Sequence, residues 1–152
     1  MRTFTGVCAL IGLLALTANA CAQQPAAQPS AAEQAAIFKA AGFQIEHGKY
    51  TRCPGDPSAS HSYGEIRMED LNGDGRPEAW ATEGSVFCWG NTAESFVLLQ
   101  KTPAGAWTPI LDEIGIAVTQ ETKHMGWPDI EVGGPGMGPF PIYHFNGTKY
   151  VS

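Results

Sequence analysis

Asp70-Leu71-Asn72-Gly73-Asp74-Gly75-Arg76-Pro77-Glu78 carries oxygen-bearing side chains at its first, third, fifth and ninth positions and glycine at its sixth. This spacing lets a short loop wrap a hard cation such as Ca²⁺, which takes about six to eight oxygen ligands in irregular geometry. Asp70, Asn72, Asp74 and Glu78 are the candidate side-chain ligands, and Arg76 offers its carbonyl oxygen. Gly75 stands where the backbone must turn left-handed. The exit from the loop decides the fold. Pro77 opposes a helix there, and the twelfth position, where an EF-hand needs a bidentate glutamate, holds Ala81. The loop is therefore expected to lead into a strand and to staple β segments together, with a mainly structural Ca²⁺ rather than a sensing one.

Outward from the loop the pattern is strand and turn. Residues 62–69 set Ile66 and Met68 against Glu65, Arg67 and Glu69, the period of a half-buried strand. Residues 79–82 and 85–89 read as strands around a turn at Glu83-Gly84. Phe96-Val97-Leu98-Leu99, within 95–101, is a continuous apolar run suited to a central strand covered on both faces. Residues 106–111, 114–120, 128–132 and 141–145 complete the set, with Asn146-Gly147 as a hairpin turn before 149–152. Upstream, 42–52 reads as a hairpin around His47-Gly48. Ser30 with Glu33 makes a capping box for a short helix over 31–41, which Gly42 stops. The expected fold is mainly β, a small antiparallel β-sandwich or propeller-blade-like sheets with one short N-terminal helix. The 18 glycines and 11 prolines agree with many short strands and turns. A weak internal echo sets Pro77-Glu78 against Pro128-Asp129, and Phe96–Leu99 against 142–145, at about the spacing of a four-stranded blade.

The N-terminus reads as an export signal. Arg2, an apolar stretch from Phe4 to Thr17, and the small residues Ala18-Asn19-Ala20 define a signal peptide over 1–20. The low-complexity segment 21–30 is an extended tether, and 31–152 is a single calcium-stabilised β domain. Cys8 leaves with the signal, so Cys21, Cys53 and Cys88 remain. Cys53 and Cys88 are the expected disulfide. Ala18-Asn19-Ala20-Cys21 resembles the lipobox of bacterial lipoproteins, although Ala18 replaces the usual leucine. Ordinary cleavage at the same bond is the alternative. The resemblance implies lipidation of Cys21 and, with Ala22 following, the periplasmic side of the outer membrane; ordinary cleavage implies the soluble periplasm.

Charge and motifs restrict the chemistry. The formal charge is −6, and the first 20 residues hold one of the nine basic side chains and none of the fifteen acids, leaving −7 beyond them. That balance argues against nucleic acid as a partner. No nucleophile elbow, metalloprotease helix, Walker loop or dinucleotide fingerprint occurs. His47, His61, His124 and His144 lack a metal-ligand spacing along the chain and read as scattered polar or packed residues. Trp80, Trp89, Trp107 and Trp127 read as core. The glycine-rich stretch with Gly133, Gly134, Gly136, Met137 and Phe140 reads as a surface loop able to contact a partner. Asp129 and Glu131 with Glu78 are the carboxylates that a cell-wall hydrolase could use as its acid–base pair. The favoured reading is non-enzymatic, a module binding a periplasmic or envelope protein.

The 70–78 loop followed by a strand resembles the FG-GAP/VCBS repeat loops of bacterial surface proteins and integrin-type propellers. The close likeness covers about one-fifth of the chain, and it implies a calcium-binding, non-enzymatic β module. The loop and the closing segment Gly126-Trp127-Pro128-Asp129-Ile130 with Phe145-Asn146-Gly147-Thr148-Lys149-Tyr150 also resemble small periplasmic proteins. Some larger proteins with comparable calcium loops are similar in architecture to lysozyme inhibitors and serve as immunity proteins, and this fold-level similarity implies an immunity or inhibitor role against a cell-wall hydrolase.

Overall fold

The computed structural model describes residues 28–90, 94–134 and 139–152. The expected signal peptide, Cys21, most of the expected tether, and Gly136 and Met137 of the glycine-rich stretch lie outside the described residues. Helix α1 (Ala31–Ala40) begins where the capping box placed it, with Ser30 Oγ accepting from the Glu33 N–H at 3.3 Å. It ends before Gly42, whose φ is +80°. Strands β1 (Gln44–Glu46) and β2 (Lys49–Thr51) pair across His47-Gly48 as a two-stranded sheet.

Two antiparallel meanders follow. The first runs β3 (Ser62–Glu69), β4 (Glu78–Gly84), β5 (Glu94–Lys101) and β6 (Trp107–Ile114), in that spatial order. The second runs β7 (Ile116–His124), β8 (Trp127–Gly133), β9 (Ile142–Phe145) and β10 (Tyr150–Val151). The internal echo falls on corresponding places. Pro77-Glu78 and Pro128-Asp129 open or lie in the second strand of each meander, and Phe96–Leu99 and 142–145 lie in the third.

The cores follow from strand alternation. Trp80, Phe96 and Leu98 face Trp127, Ile130, Val132, Phe145 and Tyr150, so the two meanders bury one face against each other. The opposite face of the first meander, with Ala79, Ala81, Val97 and Leu99, is covered by Ile37 and Phe38 of α1 and by Phe43. That double cover explains why β5 reads as an unbroken apolar run, with Phe96, Val97, Leu98 and Leu99 all buried. Gly115 links the meanders. A β-carbon there would stand 2.4 Å from the Gly133 carbonyl oxygen, so only glycine fits.

One local expectation is overturned. Residues 85–89 form no strand, and Glu83-Gly84 form no turn. Strand β4 runs through both residues, and Val86–Trp89 is a single helical turn, α2. Ser85 caps α2 by accepting the Cys88 N–H at 3.0 Å. Glu83 stays in the strand because its carboxylate has buried partners waiting on the preceding hairpin and loop.

Candidate functional site

The 70–78 loop joins β3 to β4 and folds around its own first aspartate. Asp70 Oδ1 accepts from the Gly73 and Asp74 amides, and Oδ2 from Gly75, at 2.8, 3.1 and 2.9 Å. Asn72 Oδ1 accepts from Asp74 at 2.8 Å, and Asp74 Oδ1 accepts from Arg76 at 2.8 Å. Gly75 has a φ of +81°, as the spacing required. Leu71 anchors the loop in the core between the meanders. Each carboxylate oxygen retains lone-pair capacity beyond these bonds.

Glu78 is the unusual member. It is 2% exposed, and Oε2 accepts one loop N–H, that of Leu71, at 3.0 Å. Burial raises its pKa to about 7, and the charges of Asp74 and Asp70 push in the same direction against the relief from the Leu71 amide. At Asp74, the Arg76 guanidinium at 2.8 Å holds the carboxyl below its ordinary range. The donor set is all oxygen, with a buried carboxylate beside two further acids, and it suits a hard divalent cation.

A cleft of about 540 Å³ opens directly beside this loop. Gly75, Arg76 and Pro77 form one side, and Trp107, Lys101 and Met68 lie among its other lining residues. Lys101 is held at its rim by Glu33 of α1, 2.6 Å away, and lies over the Trp107 ring. The loop conformation and the shape of the cleft are therefore coupled through three consecutive residues.

The disulfide expected between Cys53 and Cys88 is present, with Cα atoms 6.0 Å apart. It ties the segment after β2 to α2, where a strand was anticipated. Around it lies a polar network that chain spacing did not signal. Glu83 accepts from the Thr51 hydroxyl and, at 2.6 Å, from the Arg52 amide, while His61 Nε2 lies 2.6 Å from Oε1. Ser85 Oγ donates to Asp56 Oδ2 at 2.7 Å. These bonds fasten the 52–61 loop to the end of β4.

The remaining sequence candidates separate. Gly133, Gly134 and Phe140 border a groove of about 310 Å³ with Ile116 and Val118, and Phe140 is partly exposed. Glu131 also borders that groove, whereas Asp129 is buried under His124 and His144. The histidines read as scattered thus include a spatial pair. Their convergence depends on strand pairing, for which spacing along the chain carries no signal.

Fold and site define a disulfide-bonded, mainly β protein in which two four-stranded meanders share a core and one carries an acidic nine-residue loop. No family model matches the chain, and no curated protein or solved structure is significantly similar to it.

Proposed function

We propose that the protein is an exported, non-enzymatic binding module that holds one Ca²⁺ in the 70–78 loop and grips a protein partner of the cell envelope with the adjoining cleft. Asp70, Asn72, Asp74 and Glu78 supply side-chain oxygens, and Arg76 its carbonyl. The observation that carries this reading is the burial of Glu78 beside Asp70 and Asp74, where burial outweighs the relief from backbone amides. A divalent cation offsets that accumulation of charge and makes ionised Glu78 favourable. Gly75, Arg76 and Pro77 then transmit the order of the loop to the cleft wall. The buried carboxylates Glu78, Glu83 and Asp129 each bond to groups of their own fold, which favours a structural over a hydrolytic use.

The cation reading is tested by thermal melting in Ca²⁺ and in chelator, for the wild type and Asp74→Ala. At tenfold excess over Kd, Ca²⁺ should add about 1.4 kcal/mol to the wild type and much less to the variant. An unchanged wild-type melting curve removes the proposal. The non-enzymatic reading is tested by incubating the protein with peptidoglycan, alone and with a lysozyme-type hydrolase. Turnover by the protein alone refutes it. Calcium-dependent suppression of the hydrolase supports the inhibitor form of the module, with its place on the periplasmic side of the envelope.

A further inference from the structure

The second meander brings together three metal-ligating side chains that the calcium loop does not use. Thr122 and His124 lie on β7, Asp129 on β8 and His144 on β9, and these strands are adjacent. Pairing of Ile130 with Tyr143 sets Asp129 opposite His144 one step on, and pairing of Lys123 with Pro128 sets Thr122 opposite Asp129. Tyr143 and Phe145 pack on the core, so His144 between them faces outward by alternation. Asp129 is nevertheless only 2% exposed, whereas the imidazoles of His124 and His144 are 52% and 44% exposed.

The contacts are specific. His124 Nδ1 and His144 Nδ1 lie 2.6 and 3.0 Å from the same oxygen, Asp129 Oδ1. The Thr122 hydroxyl donates to Oδ2 at 2.6 Å and so turns Oδ1 toward the two rings. One ligand atom from each of His124, Asp129 and His144 lies within 4.8 Å of the others. A carboxylate merely satisfied by neutral imidazoles accounts for His124. It leaves His144 Nδ1 unexplained, because that nitrogen is removed from solvent yet makes no aligned hydrogen bond with any of the described residues.

We infer that His124 Nδ1, Asp129 Oδ1 and His144 Nδ1 form a binding site for a divalent transition-metal ion of the Zn²⁺ class. Two imidazoles and one carboxylate oxygen suit Zn²⁺ and its neighbours, whereas Ca²⁺ and Mg²⁺ favour oxygen alone. Bonds of about 2.0–2.1 Å in a tetrahedral site separate ligand atoms by roughly 3.3 Å. The two imidazole–carboxylate spacings need to open by less than about 1 Å, and the ligand atoms, all within 4.8 Å of one another, to settle around one centre, which the half-exposed rings allow. Three protein ligands leave a fourth position for water or a donor from a bound molecule. Thr122 is a positioning residue, orienting the carboxylate from behind. Asp129, like Glu78, lies near the start of the second strand of its meander, but with imidazoles around it instead of an oxygen-rich loop. The site is remote in sequence from the calcium loop and does not depend on it.

Calorimetric titration of the purified protein with Zn²⁺, in excess Ca²⁺, tests the assignment. One equivalent should bind, and His124→Ala and His144→Ala should each weaken it by about 100-fold or more, with Thr122→Val costing about tenfold. Asp74→Ala should leave the Zn²⁺ affinity unchanged. The two histidine variants alter exposed rings, and circular dichroism verifies their fold. Absence of saturable Zn²⁺ binding overturns the inference, and so does binding that persists undiminished in both histidine variants.

Discussion

His61 Nε2 lies 2.6 Å from Glu83 Oε1, and both side chains are almost wholly removed from solvent. Glu83 also receives the Thr51 hydroxyl and the Arg52 amide, so one carboxylate closes three bonds between β4 and the chain that precedes β3. Glu83→Ala strands all three partners. It should cost about 3 kcal/mol or more, because orphaned buried polar groups lose their partners without regaining water. Glu83→Gln, which keeps an acceptor, should cost less. Urea unfolding of the two variants checks the order.

Glu78 makes the protein sensitive to pH. Its pKa is raised in the folded state to about 7 from an ordinary 4.5, so the folded protein holds this proton more tightly than the unfolded chain. The contribution of protonated Glu78 is present below pH 4.5 and is lost as pH rises toward 7, amounting to at most about 3 kcal/mol. In chelator, melting temperatures should fall between pH 5 and pH 8 by more in the wild type than in Glu78→Gln. Equal slopes for the two proteins would contradict this.

The Cys53–Cys88 bridge closes a separation of 35 residues that contains β3, the 70–78 loop and β4. Chain entropy assigns such a loop roughly 4 kcal/mol, an upper figure. Cys53→Ser with Cys88→Ser should lower the denaturant midpoint substantially and steepen the slope, because the unfolded chain freed of the bridge exposes more surface, and reduction of the wild type should reproduce both effects.

Gly64 lies beneath the aromatic cluster of Phe38, Phe43 and Tyr50. A β-carbon there would stand 2.7 Å from ring atoms of both Phe38 and Phe43. Gly64→Ala should therefore destabilise by about 1–3 kcal/mol through overpacking. Far-UV circular dichroism during thermal melting would reveal it, and a neutral substitution would mean that α1 shifts freely over the sheet.

Local chemistry made much of the fold legible. Ser30 and Glu33 announced α1, His47-Gly48 and Asn146-Gly147 announced hairpin turns, and Phe96–Leu99 announced a doubly covered strand. Each depends on residues within a few positions of one another. Residues 85–89 resemble a strand because Val86, Phe87 and Trp89 suit one by composition, whereas Ser85 and the bridged Cys88 select a helical turn. Glu83 looked like a turn residue because its partners, Thr51 and His61, are far away in sequence.

By itself the amino-acid sequence determined the nine-residue acidic loop, the mainly β architecture, the cysteine pair and the apolar central strand, since spacing and side-chain type suffice for these. Tertiary structure alone decided which buried carboxylate meets which partner. The pairing of β7 with β8 shifts register between Thr119 and Lys123, and that irregularity brings Thr122 and His124 onto Asp129. His144 arrives from a third strand. Cross-strand register depends on the whole sheet, and a two-residue periodicity contains no record of where one strand slips against the next.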